Sequence, residues 1–391
     1  NGVLYIEGLE FLKKMLDEDK RLKSLCIEIA RPGEKKRIIP IKDVIEPRVK
    51  IEGKIGEGLT LALKGISVIT CGQIVGFQEG LLDMSGPGAE YSSFSKLINI
   101  VLTAKVADGL TKQQHEEALR QLGQRAAAYF GQAAKKIQPD EIEEFWELIP
   151  RINLPILPNV IYIYMLLSQG LMHDTYVHGK DAKGLLPALL QPSEILDGAI
   201  VSGNCVSACD KNTTYHHMNN PIIRELYKMH GKAVNFIGVI ITNESTMLAE
   251  KEMAAEHAVR LAMCLGAQGV IISKEGFGNP DADLMMICSK LEKFGIKTVC
   301  ITDEFAGSDG ISQSLADAHK AADAVISTGN ANEKIILPPM EKTIGDKTII
   351  QQLTGGSPKS LKEDGSLEVE LQVILGATNQ LGYEKLSVKE I

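Results

Sequence analysis

The sequence predicts an α/β protein: a C-terminal doubly wound parallel sheet with helices on both faces, joined to an N-terminal mixed α/β domain. Three observations predict it. In the second half, apolar runs of strand length alternate with segments of helical length. Those strands are apolar along their whole length, as strands buried on both faces are. The first half instead alternates polar and apolar residues, and 391 residues suit two domains at roughly 100–200 residues each. The division is placed at 1–200 and 201–391.

Element by element, Val3–Ile6, Arg37–Ile41 and Ile66–Ile74 read as strands bounded by Gly and Pro. Leu9–Lys23 reads as a short helix. Thr111–Ile137 reads as a long one, with Thr111 as N-cap and Gln114 as its capping-box partner. Gly123 and Gly131 inside it mark close packing. Val160–Leu167 is an apolar, β-branched and aromatic run, hence a buried strand. Then Asn235–Thr242, Gly269–Ser273, Ile296–Asp303 and Asp323–Ser327 read as strands. Ser245–Leu265, Pro280–Phe294 and Ser312–Ala321 read as the helices between them, the second with Pro in its first turn and Gly295 past its end. Gly345–Gly365 is loop-rich, and Leu367–Leu375 alternates as a late strand.

Composition narrows the function classes. Apolar residues are 44% and charged residues 24%, which excludes disorder, collagen and coiled coil. The net charge of −8 argues against nucleic acid or an anionic membrane as the main partner. The longest apolar run, Val160–Leu171, carries Ser168 and Gln169 and falls short of the roughly 18 residues of a membrane helix. No signal-peptide pattern is read, and Asn at position 1 implies a trimmed or omitted start. Seven cysteines, an odd number scattered mostly through apolar segments, read as reduced thiols in a cytoplasm.

Ligands of such sheets gather at the carboxyl ends of the strands. Here those ends carry Asn243-Glu244, Lys274-Glu275, Asp303-Glu304 and Asn330. Ordinary helix capping explains single residues of this set as readily. The unusual stretch is Ser202–His217, which packs Cys205, Cys209, His216, His217, Asp210 and Lys211 among hydroxyls and amides. Three readings compete: a polar connection, a zinc site of Cys205, Cys209, His216 and His217, and self-processing. The zinc spacing is unusual, because adjacent histidines seldom reach one metal. In self-processing, the Cys205 thiolate attacks the Asn204 carbonyl, turning the amide into a thioester, with Gly203 relaxing the backbone. Loss of sulfur from Cβ leaves dehydroalanine, and hydrolysis gives a pyruvoyl group, an electrophile for amines. The chemistry alone does not rank this above a loop.

The run S-G-N-C-V-S-A-C-D-K-N-T-T-Y at Ser202–Tyr215 resembles the processing segment of component B of the glycine, sarcosine and betaine reductases, in its alpha and beta subunit proprotein. The resemblance spans nearly the whole chain. It includes A-R-P-G-E at Ala30–Glu34, D-V-I-E-P-R-V at Asp43–Val49, the run Gly76–Tyr91, L-M-H-D-T-Y at Leu171–Tyr176, Gly238–Glu244, Glu275–Asp283 and Ser312–Ala318. It departs near Gly53–Gly58, where family members carry a longer glycine-rich stretch. The resemblance is strongest to the glycine reductase type. It implies a cut between Asn204 and Cys205, a beta chain ending at Asn204, and an alpha chain whose Cys205 becomes the pyruvoyl cofactor, with no nucleotide or metal. It implies a selenoprotein gamma subunit, a small selenoprotein component A and an acetyl-phosphate-forming component C as partners. The implied reaction is reductive deamination in amino-acid fermentation, giving acetyl phosphate and ammonia or a methylamine.

On this reading the pyruvoyl carbonyl captures the substrate amine as a Schiff base, and a partner selenolate displaces nitrogen from the α-carbon. Cys205, Asn204, Cys209, His216 and His217 form the expected catalytic set, the histidines for proton transfer. Lys211, Asp210, Glu275 and Asn243 form the expected substrate-binding set. Lys211, Arg224 and Lys274 are the nearest cations in sequence for a carboxylate. His173, Asp174, Glu90 and Tyr91 are weaker candidates. Betaine cannot form a Schiff base, and its quaternary nitrogen calls for an aromatic cage, whereas the chain has one Trp, Trp146. Glycine is therefore favoured, then sarcosine. The alternatives are a betaine or sarcosine component, an unprocessed scaffold that binds the selenoprotein, a small-molecule binding module and a zinc protein.

Overall fold

The computed structural model describes residues 3–75, 79–146, 148, 154–204 and 207–381. Cys205, the expected pyruvoyl precursor, lies outside the described residues, as does part of the Gly76–Tyr91 motif. The protein is mixed α/β, with several sheets and helices.

The chain opens with helix α1 (Gly8–Glu18), then strands β1 (Leu22–Ala30), β2 (Lys36–Ile45), β3 (Ile66–Gly72), β4 (Gly80–Asp83) and β5 (Ile98–Val106). Val3–Ile6 carries no regular structure, and the expected helix Leu9–Lys23 stops at Glu18. The chain extends from Leu22 because Leu22, Leu25 and Ala30 are buried in a strand that pairs antiparallel with β5. The order is β1-β5-β3-β2, with β4 also paired to β2. Helix α2 (Lys112–Gly131) packs Leu119, Leu122, Ala126 and Phe130 against one face of this sheet, beside Phe11 and Met15 of α1. The expected capping box forms: Gln114 N donates to Thr111 Oγ1 at 3.2 Å, and Thr111 N donates to Gln114 Oε1 at 2.9 Å. Gly131 does mark close packing, since a Cβ there would lie 2.2 Å from Arg48 O.

Then come β6 (Asn159–Leu166), β7 (Thr175–Val177), β8 (Ala188–Leu190) and β9 (Ile200–Ser202), followed by α3 (Thr214–Met218), α4 (Pro221–Met229) and β10 (Asn235–Asn243). After them run α5 (Leu248–Cys264), β11 (Gly269–Ser273), α6 (Asn279–Lys293), β12 (Lys297–Glu304), β13 (Val325–Asn330) and β14 (Lys342–Gly345). The second sheet has the order β8-β10-β6-β11-β12-β13 and is parallel except for β8. Side chains alternate along β6 with the two-residue period of a strand. Ile161, Ile163 and Met165 meet α5 and α6, while Tyr162, Tyr164 and Leu166 meet Ile222, Ile223 and Leu226 of α4.

Two expected helices differ. Helix α5 begins at Leu248 rather than Ser245, whose hydroxyl instead accepts from Met247 N at 3.1 Å. Ser312–Ala321 forms no helix. Its backbone is taken by tertiary partners: Ala316 N donates to Asp281 Oδ2 at 2.7 Å, and Ser314 O accepts from Phe305 N at 2.9 Å. The late strand is short, Leu367–Glu370, and ends in a 3-10 turn.

Both sheets draw strands from either side of position 204. β6 and β8 precede it and pair with β10, while β14 follows it and pairs in parallel with β2. The expected division at residue 200 therefore runs through both sheets. Among the described residues the six cysteines form no disulfide, and no helix is long and apolar enough to cross a membrane.

Candidate active site

The described residues of the Ser202–His217 segment lie between the two sheets. Ala208 packs with Ile41, Ile69 and Val101 on the face of the first sheet that α2 leaves open. Tyr164 of the second sheet shares a 2.7 Å hydrogen bond with His217 Nδ1. Strand β9 pairs with β7, and the pairing continues past its end: Gly203 N donates to Asp174 O at 2.7 Å and Asn204 N to His173 O at 3.0 Å. Glycine is required at 203 by that approach, because a Cβ would lie 2.4 Å from His173 O. Beyond the linkage, Lys211 N donates to Ser207 O at 3.1 Å and closes a turn. The backbone is thus tied at residues 203–204 and again at 207–211.

The turn brings Lys211 back to the strand. Its Nζ donates to Gly203 O at 3.1 Å and to Lys42 O at 2.9 Å. Asp43 accepts from Thr214 N at 2.9 Å and from Thr214 Oγ1 at 2.6 Å, and Thr214 Oγ1 accepts from Ser202 N at 3.0 Å. Thr213 and His216 form the capping box that starts α3: His216 N donates to Thr213 Oγ1, and Thr213 N donates to His216 Nδ1 at 3.1 Å. His216 Nδ1 is therefore an acceptor in a neutral ring. Burial first, then the Lys211 charge, holds His216 down to about 3; burial and the neighbouring His216 do the same for His217. Both rings are neutral at ordinary pH, so they accept hydrogen bonds and are poorly matched to general-acid work there.

The strand ends converge on the other side of the turn. Glu275 Oε2 accepts from Asn212 N at 3.3 Å, and Glu275 N donates to Glu244 Oε1 at 3.0 Å. Burial raises Glu275 to about 8 and Asp174 to about 6. These two carboxyls sit nearer the range that proton transfer needs at neutral pH than either histidine. Asp210 is fully buried; desolvation and the Asp303 charge push its carboxyl upward. Burial also raises the Cys209 thiol, so it is not a ready nucleophile. Cys209 Sγ and one oxygen each of Asp210 and Asp303 lie within 4.8 Å of one another, the one group among the described residues that could hold a metal ion. The histidines of the expected zinc set are not part of it.

The remaining expectations are placed as follows. Lys274 is buried between Asp281 Oδ1 at 3.0 Å and Asp303 Oδ1 at 3.3 Å. Arg224, on α4, pairs with Glu143. Asn243 donates to Lys183 O at 3.0 Å and Leu185 O at 2.9 Å, which ties β10 to a neighbouring loop. His173 pairs with Asp181, and Glu90 is exposed in a 3-10 turn that also holds Tyr91.

A small recess opens beside Ser202, Gly203 and Asn204, lined also by Lys42, Asp43, Glu79, Glu116 and Arg120. Sequence reasoning missed Arg120 and Glu116 because an Arg four residues after a Glu on a helix reads as an ordinary surface pair.

The chain matches the family of glycine/sarcosine/betaine reductase component B subunits over residues 1–389. It belongs to that family. A glycine reductase complex component B alpha and beta chain from Acetoanaerobium sticklandii is 53% identical across all of this chain and 94% of its own length. A sarcosine reductase complex component B alpha subunit from Peptoclostridium acidaminophilum is 48% identical over 99% of this chain and 94% of its own length. A D-proline reductase proprotein from Acetoanaerobium sticklandii is 26% identical over 63% of this chain and 42% of its own. No solved structure matches the chain. The component B family makes this an enzyme subunit of an oxidoreductase complex.

Proposed function

We propose that the chain is the substrate-activating subunit of a reductase that removes the amino group of glycine, or of sarcosine, leading to acetyl phosphate and ammonia or methylamine. The bond between Asn204 and Cys205 is cut, and position 205 becomes a pyruvoyl group. That group, when present, supplies an electrophilic carbonyl to the substrate nitrogen, and a partner selenolate provides the reductant. The single observation that carries this reading is the clamp around the bond: His173 O and Asp174 O hold residues 203 and 204, and Lys211 reaches from the following turn to Gly203 O. Such a clamp fixes the backbone that leads into the bond, as a self-attacking bond requires. The glycine reductase chain and the D-proline reductase proprotein among its relatives support it.

The residues present suit the group. A small electrophile beside a recess needs buried surroundings to exclude water, and Asn204, Ser207, Asp210 and Lys211 are all buried. Glu275, raised by burial to about 8, holds a proton at neutral pH, and Asp174, raised to about 6, is mostly ionised there and can accept one. The order β10-β6-β11, which steps to opposite sides of β6, supports reading the second sheet as doubly wound, with the site at the carboxyl ends of its strands. Mass spectrometry of the denatured protein tests the proposal. Two fragments split at 204–205, the second blocked to Edman degradation and shifted by borohydride, are expected. An intact chain with a free thiol at 205 in active, assembled reductase refutes it.

A further inference from the structure

None of the cations nearest in sequence is free to meet a substrate carboxylate. Lys274 is held by two aspartates, Arg224 by Glu143, and Lys211 by two backbone carbonyls. Lys42, which lines the recess, is paired with Glu79. Arg120 differs. It stands on α2 and lines the same recess as Gly203 and Asn204. Its Nε donates to Glu116 Oε1 at 2.9 Å, and its guanidinium carbon lies 3.9 Å above the centre of the Tyr176 ring. Tyr176 is fixed in turn: its hydroxyl accepts from Gln113 Nε2 at 3.0 Å and donates to Glu116 Oε2 at 3.3 Å. Among the described residues, the two terminal nitrogens of Arg120 form no hydrogen bond.

We infer that Arg120 is the carboxylate-binding residue of the site, and that its ligand is a small amino acid held by its carboxylate with its nitrogen toward the Gly203–Asn204 end of the recess. This inference rests on the proposed function for the direction of the ligand, though not for the carboxylate. A guanidinium held through Nε and stacked on an aromatic face keeps its two terminal nitrogens as a planar fork, the geometry that binds carboxylate bidentately. Tyr176 belongs to β7, the strand that pairs with β9 and leads into 203–204. One strand pair therefore sets the distance between the fork and the linkage, which is what positioning of a short substrate needs.

The experiment uses the full chain and the assembled reductase. In wild-type protein, glycine or propionate should protect Arg120 from an arginine-selective dicarbonyl reagent, read by peptide mass mapping, and methylamine should not. In the assembled reductase, Arg120→Gln should raise KM for glycine roughly 10–100-fold, the loss of a charged bidentate contact, with a much smaller change in kcat. Propionate should compete with glycine in the wild type and lose that competition in the variant, while methylamine competes equally in both. Arg120→Lys should fall between, because it keeps the charge and loses the fork. Equal modification of Arg120 with and without propionate overturns the inference, whether or not the variants fold. So does a variant that is cut at 204–205 and retains the wild-type KM. An uncut wild-type chain with a free thiol at 205 in active reductase refutes the proposed function instead, and carboxylate protection of Arg120 would survive it.

Discussion

Gly203→Ala is the sharpest perturbation of the clamp. The added methyl would lie 2.4 Å from His173 O, 3.0 Å from the Tyr176 ring and 3.2 Å from Asp174 O. Ordinary contact begins near 3.4 Å, so residue 203 and the 173–174 segment must part by about 1 Å. That movement breaks the hydrogen bonds Gly203 N to Asp174 O and Asn204 N to His173 O. Two such bonds contribute about 1 kcal/mol each, and forcing a methyl into a filled space costs about 1–3 kcal/mol. The loss of stability should therefore be about 3–5 kcal/mol, read as a shift in the urea midpoint of the full chain. A displacement of that size near a reacting bond also slows chemistry by about 100-fold, so the two fragments should accumulate correspondingly slowly. Gly184→Ala is the control, since a Cβ there meets nothing within 4 Å. A Gly203→Ala chain as stable as the Gly184→Ala chain, and cut at the wild-type rate, would refute the reasoning.

Two further outcomes follow from buried charge. Burial, moderated by Asn212 and by the Lys211 charge, raises Glu275 from about 4.5 to about 8. A raised carboxyl contributes stability that is complete below about 4.5 and is lost as pH rises to about 8. Glu275→Gln removes that dependence, so its stability relative to wild type should improve steadily between pH 5 and 8, by at most about 1.4 kcal/mol per unit. Urea titrations at several pH values check it, and a constant difference would be wrong for this account. Asp83 accepts from Arg37 Nε at 2.6 Å and from its terminal nitrogen at 2.7 Å, both residues buried. Asp83→Ala leaves that guanidinium without its partner and should cost about 3–5 kcal/mol, where removal of the exposed Asp108 partner of Lys23 should leave the midpoint unmoved.

Local signals in the sequence were strong wherever structure was locally determined. The capping box at Thr111 and Gln114 and the apolar strands of the second sheet are short-range features, and the folded chain carries them. The Ser202–His217 stretch stood out because its chemistry is packed into consecutive residues. What lay beyond reach was non-local. Ser312–Ala321 has a helical pattern, but Asp281 and Phe305 take the backbone groups a helix would use. Leu22–Ala30 mixes polar and apolar residues without clean alternation, and its strand depends on β5 as a partner. Gly203 was expected to give backbone freedom, whereas the folded chain shows a steric demand set by His173 O. Arg120 lies far upstream of position 204, and only the pairing of β7 with β9 brings its stacking partner to that place.

The passage of strands across position 204 has a mechanical consequence. If the bond is cut, neither piece keeps a whole sheet: the earlier piece surrenders β14, and the later one surrenders β6 and β8. Severed halves would stay laced together, travel as one particle in a native gel, and part only in denaturant. Mixing two preparations would then exchange no halves between molecules, so a pyruvoyl-bearing piece is bound for life to the chain it was born with.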